Sequence, residues 1–179
     1  MAESIRAGNI KLVLCFVLYL AWWIVGFNPK YPIRGIKSGW LLIPAAILGV
    51  LALPQIWRGL VFAGGPVPGI VLVIGGVAGY VVLLLITGVL LKRPVTTELL
   101  IIVLWTTVML LELNTLVAIG SIPWELGWVL VVLCMACAIG SLVCYQLFYG
   151  LESTAAFVDG MVPLLLACAM TGLITVFAR

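Results

Sequence analysis

A chain of 179 residues that is 65% hydrophobic and 8% charged, with a mean hydropathy of +1.37, carries more apolar surface than a water-soluble domain of its size can hide. Most of it must face lipid or other helices within lipid. The net charge of +3 is scattered without a basic tract, which argues against nucleic acid as a partner. Histidine is absent, which excludes bis-histidine haem, HExxH zinc chemistry, a Ser-His-Asp triad and imidazole proton relays within this chain.

A membrane span needs about twenty apolar residues, and six such runs are legible. The predicted architecture is all-α: a single polytopic transmembrane domain over residues 1–179. The first span, Ile10–Phe27, follows Arg6 but no small-residue cleavage site, so it reads as uncleaved. It ends at Asn28-Pro29 and the turn-rich basic loop Lys30–Lys37. The second, Gly39–Leu60, contains Pro44 and Pro54. Each proline deletes a backbone donor, which lipid tolerates only where neighbours re-satisfy the freed carbonyl, so a bend pointing inward is expected.

After the turn at Ala63–Pro68, the third span runs Gly69–Leu91, with Gly75, Gly76 and Gly79 in a small-residue pattern that suits either an oligomer contact or packing within the monomer, the latter being the commoner case. Lys92-Arg93-Pro94 marks an interface before the fourth span, Thr97–Ile119. Ser121 is the expected N-cap of the fifth span, Trp124–Tyr149, with Pro123 in its first turn. Trp124, Trp128, Tyr145, Phe148 and Tyr149 lie near the ends of that span, as an interfacial aromatic belt would. The sixth span covers Thr154–Phe177. Glu125, Glu152 and Asp159 are expected to be acids at helix starts.

Six spans place Arg6, Lys11, Arg58 and Arg179 on one side and Lys30, Arg34, Lys37, Lys92 and Arg93 on the other. Four against five is no useful bias under the positive-inside rule, and it tips only slightly toward both termini outside. An internal repeat would have that consequence. Between Gln55–Val71 and Gln146–Val162, ninety-one residues apart, six of seventeen ungapped columns are identical: Gln, Gly, Leu, Val, Gly and Val. Two copies of three spans (halves 1–93 and 94–179) would enter the membrane in opposite senses, as in inverted-repeat transporters with a midplane site. Gln55 and Gln146 would then line the two mouths of one pathway.

Glu112 is the strongest candidate residue. It stands well inside the fourth span beside Asn114 and Thr115, where a charge costs a few kcal/mol unless paired, wet or protonated. A carboxyl in that setting can exchange protons or hold a cation. Glu98, Trp105 and Glu112 recur at intervals of seven, so a helix places them on roughly one face as an acidic, aromatic-lined track. Cys134 and Cys137 form a CxxC pattern, but well inside an apolar span thiols are expected to pack as small hydrophobes. No second carboxylate close to Glu112 in sequence suggests a metal pair.

The stretch Leu116-Val117-Ala118-Ile119-Gly120 followed by Gly127-Trp128 resembles part of the last two helices of the acetate-uptake channels. It lacks that family's opening motif, and no site is carried over from it. The leading expectation is a small transporter or channel for a small polar or ionic solute, in the cell (inner) membrane and working as a homo-oligomer or with membrane partner subunits. The pathway residues would be Glu112, Gln55, Gln146, Trp105, Asn114, Thr115 and Glu98. No cofactor, metal or enzymatic activity is expected. The rival expectation is a non-catalytic membrane subunit or assembly partner of a larger complex.

Overall fold

A computed structural model describes residues 1–29, 39–63, 65–92 and 97–178. The basic loop Lys30–Lys37, Arg93-Pro94 and Arg179 lie outside the described residues, as does Gly64 of the expected turn at Ala63–Pro68. Six helices are long and apolar enough to cross a membrane: α1 (Ala2–Phe27), α2 (Gly39–Gly59), α3 (Gly69–Leu85), α4 (Thr97–Ala118), α5 (Trp124–Phe148) and α6 (Ser153–Phe177). The last turn of the third span, Ile86–Leu90, is a π-helix. The fold is therefore an all-helical, multi-pass membrane bundle. Helices dominate because hydrocarbon offers backbone groups no partner, and a helix satisfies them within one segment.

Two local expectations are corrected. Helix α1 begins eight residues before the expected apolar run, so Glu3, Arg6 and Asn9 are helical. Helix α5 begins at Trp124 with Pro123 in the N-cap position and no side-chain cap bond. Ser121 is therefore not its cap. Pro123 supplies the extended backbone of an N-cap, with φ −65° and ψ 151°, but has no side-chain acceptor for the first-turn N–H groups.

The helices are arranged so that α2 lies along α1, α1 along α6, α6 along α5, α5 along α4 and α4 along α3, with α4 also meeting α6. Helix α4 is the most enclosed of the six. Trp105, Met109, Leu113 and Leu116 on α4 join Ile5, Leu130, Cys134, Met170 and Ile174 in one core. The outside is apolar, with Trp40, Val89 and Leu90 among the most exposed side chains, as a surface solvated by lipid should be. Pro54 is exposed and Pro44 only half-buried, so α2 does not aim both prolines into the bundle as expected.

Close approach of α1 to α2 is set by glycine. A Cβ on Gly8 would lie 2.5 Å from Ile56 Cγ1 and 3.1 Å from the Ala52 carbonyl, and one on Gly59 would lie 2.6 Å from Ile5 Cγ1. A Cβ on Gly76 would likewise lie 2.3 Å from Thr107 Oγ1 of α4, whereas Gly75 and Gly79 face open space. Of the three-glycine pattern, only Gly76 packs inside the chain.

Pairing of α1 with α2 is matched by that of α4 with α5, and α1 with α6 by α4 with α3. Helices α5 and α6 are packed together, however, while α2 and α3 are not. In the ungapped register, residues 61–68, which are not helical where described, oppose residues 152–159, nearly all of which belong to α6.

Replacing Gly8 with Leu should overpack the α1–α2 contact and cost about 1–3 kcal/mol. Thermal unfolding in detergent should show the loss for Gly8→Leu and none for Gly79→Ala, which adds its methyl where no atom stands within 4 Å.

Candidate functional site

Glu112 sits fully buried on the enclosed face of α4. Its Oε2 accepts a 2.7 Å hydrogen bond from Asn9 Nδ2 of α1. Glu112 Oε1 and Asn9 Oδ1 are buried and find no hydrogen-bond partner among the described residues. The bonded pair thus carries two open acceptor oxygens in an apolar core, and no cationic side chain among the described residues pairs with the carboxyl. A bare carboxylate there would be uncompensated, so neutrality calls for a proton on the carboxyl or a bound cation.

Asn9 was missed by sequence reasoning. It lies among the charges of the amino-terminal segment, which reads as an interfacial tail until α1 is seen to begin at Ala2. An amide close to the start of an apolar run was the available signal.

Two turns from Glu112 on the same face, buried Trp105 donates its indole N–H to Thr171 Oγ1 of α6 at 3.2 Å. The Thr171 hydroxyl in turn points at Met109 Sδ, 3.6 Å away. Trp105, Met109 and Thr171 therefore form a compact layer joining α4 to α6.

Asn114 and Thr115 face the connection between α2 and α3. Asn114 accepts from the Val67 N–H at 3.0 Å through Oδ1 and donates to the Val67 carbonyl at 2.8 Å through Nδ2. Thr115 Oγ1 accepts from the Val61 N–H at 3.0 Å. A Cβ on Gly65 would fall 2.3 Å from Asn114 Nδ2, so the backbone comes this near only because residue 65 is glycine. These two side chains fasten irregular backbone against the end of α4, which membrane depth permits only where such backbone is buried in protein.

The glutamines are not brought together. Gln55 accepts a hydrogen bond from Lys11 Nζ of α1, close to the amino-terminal end of the bundle. Gln146 is half-buried near the end of α5, at the opposite end. Beside it opens a cavity of about 340 Å³ between α1, α4, α5 and α6. Glu98, itself exposed, is the only residue of the expected pathway set on that wall, together with Tyr19, Tyr145 and Asp159.

Asp159 is not a helix-start acid: α6 begins at Ser153, and Asp159 is past the first turn, in the cavity wall. Cys15, Tyr19 and Trp23, also unanticipated, lie four residues apart on α1, one helical stripe, and all three line the cavity. The deepest α4 residues in its wall are Ile101 and Ile102. Trp105 follows within one turn, and Glu112 about 10 Å further along the helix.

Among the described residues, no group of three or more Cys, Asp or Glu side chains is gathered as a metal ion would require. All five cysteines are unbridged, and Cys134 is buried in the core.

Asn114→Ala removes both bonds to Val67. It should cost about 1–3 kcal/mol in thermal unfolding and make the segment around residues 61–68 more susceptible to limited proteolysis. Comparison with protein-family models, with curated proteins and with solved structures returns no match for this chain.

Proposed function

We propose that the protein is a small membrane transporter or channel for a small polar or ionic solute, with Glu112 as the coupling or cation-binding group. The carrying observation is the enclosed Glu112–Asn9 pair, in which one carboxylate oxygen and one amide oxygen lack partners among the described residues. Burying an acid at such a position costs a few kcal/mol, and an apolar residue of similar size would pack there without that cost.

Further support comes from what lies on either side along α4. Toward one end are the Trp105–Thr171–Met109 layer and then the 340 Å³ cavity with Glu98 in its wall. Toward the other end are Asn114, Thr115 and the backbone they hold. A titratable group enclosed between two closures suits alternating access, in which one closure opens at a time. In this proposal Trp105 is the inner wall of the solute path, and Gln55 and Gln146 are polar groups at its two ends. The halves 1–93 and 94–179 act as an inverted pair in this proposal, which the matched packing of α1 with α2 and α4 with α5 supports.

A second reading, a non-catalytic subunit of a larger membrane assembly, is favoured by one feature. Helix α2 packs principally on α1 and α3 principally on α4, leaving broad faces open to lipid or to another chain. Copurification separates the two readings: stability as a lone protein or homo-oligomer favours transport, and instability without another membrane chain favours the subunit.

The direct test is flux in proteoliposomes containing a pH-sensitive dye, with a panel of small inorganic and organic cations. Glu112→Gln should reduce cation-driven flux to background and abolish its dependence on pH. Transport and pH dependence unchanged in that variant would remove Glu112 from the mechanism.

A further inference from the structure

We propose that the cavity between α1, α4, α5 and α6 is a binding site for an organic monocation with an apolar or aromatic body, such as a small substituted ammonium compound. This rests on the transport reading and names the solute class. The wall combines two chemistries. Aromatic rings from two helices make a continuous surface: Trp23 of α1 stands 6.1 Å from Phe148 of α5, which stands 5.4 Å from Tyr149. Ring faces attract cations through their quadrupole, most strongly where water is excluded.

Charge in the wall is of one sign. Glu98 and Asp159 line the cavity, and no Lys or Arg does so among the described residues. Asp159 Oδ2 is buried and has no hydrogen-bond partner among those residues. Pro163, also in the wall, lacks the N–H that would otherwise bond the Asp159 carbonyl within the helix. The Asp159 carboxylate meets the Cys144 thiol of the same wall, which leaves Oδ2 as the open acceptor, and no Lys or Arg of the described lining competes for it.

An inorganic cation fits this wall poorly, because most of the lining is hydrocarbon and ring and could not replace a hydration shell. An anion would meet two carboxylates. A neutral lipid chain would gain nothing from them. A weakly hydrated cation with an apolar body uses the rings and the acids together, with Glu98 at the exposed mouth and Asp159 further in.

The test is equilibrium titration of the full chain in lipid nanodiscs with benzyltrimethylammonium, followed by calorimetry. The comparison ligands are neopentylbenzene, its uncharged isostere, and phenylacetate. The cation should bind, its affinity should fall about tenfold or more in Asp159→Asn, and phenylacetate should not bind. Glu98→Gln, at an exposed position that spares folding, should weaken binding to a smaller extent.

Equal binding of the neutral isostere, or cation affinity unchanged in both variants, would overturn the assignment and leave the cavity to an apolar chain. Failure of the two readings is distinguishable. No cation binding, with flux still lost in Glu112→Gln, sinks the cavity assignment alone. Binding that depends on Asp159, with flux indifferent to Glu112, upholds the cavity and removes the carrier mechanism.

Discussion

Inside hydrocarbon a polar side chain must find its partner within the protein, and the organisation of this bundle follows from how α4 meets that demand. Short hydroxyls solve it locally. Thr106 and Thr107 donate to the carbonyls of Ile102 and Val103 one turn back, and Thr87, Ser141 and Thr175 do the same in other helices. Such hydrogen bonds select no neighbouring helix, because both partners belong to the same one.

Glu112 and Asn114 answer the same demand from other elements. Glu112 draws in Asn9 of α1, and Asn114 draws in the backbone of residue 67. Each interaction links residues far apart in sequence, and each removes an alternative in which the side chain would meet lipid at a cost of a few kcal/mol. Glycine makes the approaches possible: Gly8 and Gly59 bring α1 and α2 together, and Gly65 brings backbone against Asn114. Polar demand therefore selects the neighbours, and small residues let them come close.

The cavity shows the complementary principle. Where Glu112 is fully buried, the far end of the same helix borders a cavity whose wall carries large rings of α1 and α5. Trp23 packs on Phe27 at 4.7 Å and against Gly160, and it donates its indole N–H to the Phe157 carbonyl. These rings fix the wall of the opening, because bulky planar side chains with their polar tips engaged have few alternative positions. One helix thus carries a closed acidic site and an open aromatic one, about 20 Å apart along its axis.

Sequence alone determined the six segments that are long and apolar enough to cross a membrane and where most of them end. Length, hydropathy and the proline- and glycine-marked turns decide those matters locally, since a helix in lipid satisfies its backbone by itself. The same logic marked Glu112 as an acid that had to be enclosed. What tertiary structure decided was which faces meet. Helices that are apolar on every side carry no amphipathic stripe to point inward, so nothing along the chain announced that Asn9 would find Glu112 or that Asn114 would turn to residue 67. Nor did it show that Tyr19 and Asp159 would share a cavity with Glu98 while Gln55 bonded to Lys11 at the opposite end. Those pairings arise from packing between segments as much as 103 residues apart for Asn9 and Glu112, and further still for Tyr19 and Asp159, and they exist only once the helices are assembled.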